Sequence, residues 1–198
     1  MSLRHALLAL LTAGPLTAYD ISKQFSASVG FVWYAPDSQI YPALRRMEAD
    51  GLVEATELPL HGGGTRVKRL YRITAEGTQE FRGWINGSVP HQRERDVHHL
   101  RAAYLEWADP AEAREQMREH IRFHQEQLDQ WLAVQASLLD RSHPTLVARL
   151  ERAPADQHDR IVAFRVFAYD GLIQRARCEI AWAERGLVLI DQMAIRSG

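Results

Sequence analysis

The sequence predicts a mainly α-helical protein in two parts: an N-terminal winged helix-turn-helix with a two-stranded β wing, then a C-terminal α-helical dimerisation domain. Three observations predict it. Apolar residues recur at helical spacing in three short runs before Gly51; the period then turns alternating as far as Ile73; and beyond a polar break at 87–93 the helical runs become long. The expected boundaries are residues 1–88 for the first domain and 94–198 for the second.

Leu3, Leu7, Leu10 and Leu11 define a first helix over about 3–12, stopped by Gly14-Pro15. Thr17 caps a second helix carrying Tyr19, Ile21 and Phe25, which runs to about Ser28 before GFVWYAP breaks the pattern. Asp37 and Ser38 are read as the cap of a third helix with Ile40, Ala43, Leu44 and Met47 on its apolar face and Gly51 as its left-handed stop. Pro42 fits a helix only in or near its first turn, where few backbone donors have partners to lose. The alternating runs LVEATEL and TRVKRLYRIT, joined through PLHGGG, read as a hairpin with a glycine-rich tip, and Thr74 caps a fourth helix with Phe81, Trp84 and Ile85 as its buried stripe.

In the second part, helices are expected over about 96–107, from Asp109-Pro110 to about Leu139, and over about 156–190. Met117, Ile121, Leu128, Leu132 and Leu139 recur at intervals suited to side-by-side packing. The last helix carries two apolar lines, Ile161/Phe164/Ala168/Leu172/Ala176 and Val162/Val166/Tyr169/Ile173. One chain rarely covers both, so a homodimer built on these helices is expected; a monomer wrapping both faces is the alternative.

The net charge is −1, from 24 Lys/Arg and 25 Asp/Glu, whereas chains that bind a phosphate backbone usually carry a basic excess. Any such signal must be local. Residues 61–72, HGGGTRVKRLYR, hold Arg66, Lys68, Arg69 and Arg72 with no acid. On the third helix, steps of about 100° per residue place Ser38, Pro42 and Arg45 opposite the core, with Gln39, Tyr41 and Arg46 flanking. Arg bonds bidentately to guanine, Gln to adenine, and hydroxyls to phosphate, so this face suits the major groove of double-stranded DNA. A solvated helix face explains Arg45 and Arg46 equally well; their place in a helix-turn-helix favours the reading surface. Arg66, Lys68 and Arg69 beside the flexible tip are expected to reach phosphates or the minor groove.

These residues resemble a known family. HALLALLTAGPLTAYDISKQF, FVWYAPDSQIYPALRRMEADGLVE and RLYRITAEGTQEFRGWI are similar to the PadR family of bacterial and archaeal regulators over about residues 3–86, the run from Ile40 to Val53 being the most specific. The family also carries a proline in its recognition helix, which accounts for Pro42. Met47 stands where Leu is more usual, a change that conserves volume. HLRAAYLEWADPAEAREQMREHI and FAYDGLIQRARCEIAWAERGL resemble the longer helical domain of one PadR subgroup. The resemblance implies a dimeric repressor that releases its operator on binding a small molecule, although some members of the family act as activators or sense no known ligand.

An effector, a small aromatic or lipophilic compound, is expected in an apolar cleft where the two domains meet. Candidate walls are Phe31, Trp33 and Tyr34, and beyond the linker Trp107, Phe123, Trp131, Phe167 and Tyr169, although aromatic residues at helical spacing are more often core. His120 and His124, at i and i+4, could hold a metal, and His98 and His99 are adjacent. No glutamate follows His120 in the zinc-hydrolase pattern and the sequence shows no third ligand, so no metal and no cofactor are expected. The lone Cys178 excludes an internal disulfide and a Cys-based zinc site. Nothing marks a catalytic site: no nucleophile elbow occurs, and Gly62–Gly64 lack the Lys-Ser/Thr of a phosphate loop. No apolar run approaches the roughly 20 residues of a membrane span, and the N-terminal run lacks a small-x-small cleavage site, so a cytoplasmic protein is expected. The competing function is a winged-helix protein-interaction module without effector control, its basic wing merely solvated.

Overall fold

A computed structural model describes residues 3–27, 35–59, 67–90 and 95–196. Its elements are α1 (Leu3–Leu11), β1 (Leu16–Thr17), α2 (Ala18–Ala27), α3 (Asp37–Ala49), β2 (Val53–Pro59), β3 (Val67–Ile73), α4 (Ala75–Asn86), α5 (Val97–Ala102), α6 (Pro110–Leu139), α7 (Pro144–Leu150) and α8 (His158–Arg196). The chain folds as two compact units, Met1–His91 with Pro144–His158, and Gln92–His143 with Asp159–Gly198. The segment Pro144–His158, expected from the sequence in the second domain, thus groups with the first unit. Leu146 on α7 is fully buried, and Arg149 donates from Nη1 to the Thr12 carbonyl at 3.4 Å.

In the first unit the hairpin gains a third strand. The sheet order is β1-β3-β2, all antiparallel, with Leu16 opposite Tyr71 and Val53 opposite Ile73. Two residues are too few to show a period, so β1 is invisible to pattern alone. The helices close over this sheet through Leu7, Leu8, Leu11, Ile21, Phe25, Ile40, Leu44 and Met47, with Val53 and Tyr71 from the strands. Burying each aliphatic side chain stabilises the fold by about 1.5 to 3 kcal/mol.

The end of α3 is fixed by a left-handed stop. Gly51 has φ +72°, the Leu52 N–H bonds the Met47 carbonyl at 2.9 Å, and the Gly51 N–H bonds the Glu48 carbonyl at 3.0 Å. Thr74 then joins three elements at that point: its hydroxyl donates to the Gly51 carbonyl at 2.7 Å, its Oγ1 accepts from the Gly77 N–H at 3.0 Å, and its own N–H donates to the Leu52 carbonyl at 3.1 Å. Phe81 and Trp84 on α4 are half-buried as expected, but Ile85 is exposed, because α4 packs through a narrower stripe than its composition allows.

Among its described residues, the regular structure of the second unit is all helical. On α6 the buried line is Ala113, Met117, His120, Leu128, Trp131 and Leu138, so Leu132 and Leu139, expected to pack, lie exposed one position away. On α8, Tyr169 and Ile173 of one expected apolar line are buried, whereas the other is split, with Ala176 buried, Ile161 and Leu172 half-buried, and Phe164 and Ala168 exposed; Phe167 is exposed as well. Among the described residues no helix is long and apolar enough to cross a membrane.

Candidate nucleic-acid interface

α3 buries Ile40, Ala43, Leu44 and Met47 and exposes Ser38, Gln39, Tyr41, Pro42, Arg45 and Arg46, the six residues expected on its outer face. Its start differs from the expected cap. Pro36 is the N-cap, with no side-chain bond, and Asp37 lies in the first turn, where its carboxylate accepts from the Ser22 hydroxyl at 2.5 Å. An acid there favours the positive end of the helix and ties α2 to α3. Pro42 is the sixth residue of α3, in its second turn instead of the first. It cannot supply the N–H that would normally bond the Ser38 carbonyl, and both residues lie on the exposed face, where water can replace that donor.

Arg45 and Arg46 form no ion pair among the described residues, and their guanidinium groups extend from a surface without intervening acid until Glu48. α2 adds Tyr19, 69% exposed, and Lys23, also exposed, on the side away from Ile21 and Phe25. The first helix of a helix-turn-helix crosses the DNA backbone, so these two belong to the same candidate surface. A search of the α2 helical wheel for polar positions opposite Ile21 and Phe25 would have found them.

The wing cations divide. Lys68 is exposed. Arg69 is half-buried: its Nη2 donates to Glu48 Oε1 at 2.6 Å, its guanidinium lies 5.8 Å from the Tyr71 ring centroid, and its buried Nε has no hydrogen-bond partner among the described residues. Arg72 pairs across the strands with Glu54. Arg66 and the glycine tip lie outside the described residues.

Among the described residues, the aromatic side chains expected as effector walls lie in different surroundings. Trp131 and Tyr169 are core of the second unit, where burial pushes the Tyr169 hydroxyl above its ordinary pKa; Trp107 and Phe167 are 86% and 73% exposed; Trp33 and Tyr34, with Phe31, lie outside the described residues. A different set of residues encloses space: Leu105, Met117, Trp182, Leu189, Ile190 and Met193 are among those lining an apolar cavity of about 870 Å³ within the second unit.

Phe123 instead borders a histidine cluster. His120, 8% exposed, has Nε2 3.1 Å from Glu179 Oε2, and its ring meets those of His124, His98 and Trp182 at centroid distances of 4.4, 5.2 and 5.3 Å. Burial, then the neighbouring His120, lowers the pKa of His124, and its Nδ1 is buried with no hydrogen-bond partner among the described residues. His99 turns away: it stacks on Trp182 at 4.2 Å and its Nδ1 is 2.7 Å from Asp96, whose carboxyl is held below its usual range chiefly by the His99 backbone N–H. The third donor that the sequence did not reveal is Glu179, contributed by another helix.

Three helices, the third with an outward basic face, an antiparallel wing and a fourth helix make the first unit a winged helix-turn-helix of the kind that presents one helix to DNA. Residues 7–83 match the transcriptional regulator PadR-like family. Over 191 residues, 96% of this chain and 98% of the relative, it is 27% identical to the negative transcriptional regulator PadR of Bacillus subtilis. The fold is that of Bacillus subtilis PadR solved in complex with operator DNA, with a TM-score of 0.73 and 23% identity over 95% of this chain and 98% of the other. The same protein in complex with p-coumaric acid gives 0.68 and 24%, covering 96% and 98%, and the Vibrio cholerae virulence activator AphA gives 0.69 and 23%, covering 97% and 99%.

Proposed function

We propose that this chain is a dimeric, cytoplasmic, non-catalytic transcriptional repressor that binds double-stranded operator DNA through α3 and is released by a small aromatic or lipophilic effector. The observation that carries the reading is the outer face of α3. Its six polar or small residues all point away from the core, on a helix held at both ends by hydrogen bonds to its neighbours. In this reading Arg45 and Gln39 read base edges, while Ser38, Tyr41 and Arg46 hold phosphate and Pro42 narrows the approach. Lys68, exposed on the wing, holds phosphate, Arg66 is assigned the same role from its place in the sequence, and Tyr19 and Lys23 add backbone contacts.

Residues 1–88 serve as the DNA-binding domain, with Pro144–His158 packed into the same unit, and the remaining helices serve dimerisation and effector binding. The relatives support both halves of the reading, because Bacillus subtilis PadR is solved with operator DNA and with p-coumaric acid. The apolar cavity of the second unit falls in the size range of small-molecule sites, roughly 300 to 1,000 Å³, which favours it over the scattered aromatic residues as the effector pocket.

The test is an electrophoretic shift of a duplex from the region upstream of the chain's own gene, with an unrelated duplex beside it. Preferential retardation of the first, reversed by an aromatic acid found in a thermal-shift screen, is expected. Equal retardation of both, or none, favours the interaction-module reading.

A further inference from the structure

We propose that His120, His124 and Glu179 form a binding site for a borderline divalent transition metal ion, zinc foremost, that clamps α6 to α8. His120 and His124 stand one turn apart on the same face of α6, and Glu179 approaches from α8, so that one ligand atom from each lies within 4.8 Å of the other two. Zinc bonds of about 2.0 to 2.2 Å require donors roughly 3.4 Å apart. The pair His120 Nε2 and Glu179 Oε2, at 3.1 Å, is close to this spacing, and a ring nitrogen of His124 lies within 4.8 Å of both.

Two further features point the same way. The buried Nδ1 of His124 has no hydrogen-bond partner among the described residues, a condition costing about 1 to 3 kcal/mol that is relieved when an imidazole nitrogen gives its lone pair to an ion. A pocket of about 260 Å³, lined by His98, Arg101, His120, Phe123 and His124 among others, adjoins the donors and leaves room for a fourth ligand, water or the His98 imidazole. The donor chemistry selects the ion. Two imidazoles and one carboxylate suit zinc, nickel or copper, whereas calcium and magnesium need more oxygen ligands than one Glu supplies. The nearby Arg101 and Arg175 further disfavour a site held by charge alone. The site stands independently of DNA binding by α3.

Untagged full-length protein, stripped with a chelator, is titrated with Co²⁺ and then back-titrated with Zn²⁺. The expected result is one Co²⁺ per chain, with visible absorption of four- or five-coordinate intensity that Zn²⁺ discharges. His124→Ala, at a half-buried position, and the isosteric Glu179→Gln should each keep the parent circular dichroism while weakening binding more than about tenfold, the least that even an outer supporting residue typically contributes. Absence of stoichiometric Co²⁺ uptake by the parent, or parent-like affinity in both variants, overturns the proposal.

Discussion

Of the cations around α3, Arg45 and Arg46 extend into solvent without an ion pair among the described residues, whereas Arg69 is drawn down onto Glu48 of the same helix. The difference is one of reach. The 100° step along a helix settles which α3 residues leave the core, so all six outer positions were legible in the sequence. The partner of Arg69 is 21 residues away and meets it only because β3 returns beside α3, which no local pattern encodes. With the Arg69 side chain more than a third exposed, water screens the pair, and it contributes at most about 1 kcal/mol to stability. Glu48→Gln should therefore lower the urea midpoint little. It should tighten DNA binding, because it removes an acid beside the reading face and frees a cation; weaker binding would instead mean that the pair positions the wing. The histidine cluster follows the same logic: the i, i+4 pair was readable, and Glu179, 55 residues beyond His124 on another helix, was not.

At the scale of elements, two glycines separate backbone from side-chain constraint. A Cβ on Gly77 would lie 2.1 Å from the Leu52 carbonyl oxygen, at the point where α3, β2 and α4 are tied together, and backbone cannot yield. Gly77→Ala should destabilise the first unit by about 3 kcal/mol, read as a lowered urea midpoint by circular dichroism. A Cβ on Gly186 would instead meet the Met117 sulfur at 2.9 Å, the far end of a flexible side chain, so Gly186→Ala should stay within about 1 kcal/mol of the parent. A comparable loss in both would refute this distinction. Long helices were the easiest elements to read because many turns average out local noise. The two-residue β1 and the seven-residue α7 were missed because neither is long enough to establish a period.

At the scale of the molecule, the second unit leaves Phe164, Phe167, Val188 and Ile195 between 56% and 80% exposed on α8. An apolar display of this extent on one long helix is the mark of a surface that a second chain covers. Sedimentation should give twice the 22.6 kDa chain mass, and Phe164→Glu combined with Phe167→Glu should yield a monomer with greatly weakened operator binding, since each half-site is then bound alone. A parent protein sedimenting as a monomer would remove the dimer from the account. The sequence foretold excess apolar surface on the last helix, but not which of its residues would be exposed, because that depends on what packs against them: Ala176 is buried while Phe164 of the same line is exposed.

The central claim, that α3 reads DNA, is tested most directly by fluorescence anisotropy of a labelled upstream duplex titrated with full-length protein across a salt series, parent beside Arg45→Ala. Affinity should fall steeply and linearly on logarithmic axes as salt rises, and Arg45→Ala should lose roughly tenfold to hundredfold on the upstream duplex but much less on an unrelated one. Absence of binding at low salt, or Arg45→Ala binding the upstream duplex as tightly as the parent, would contradict it.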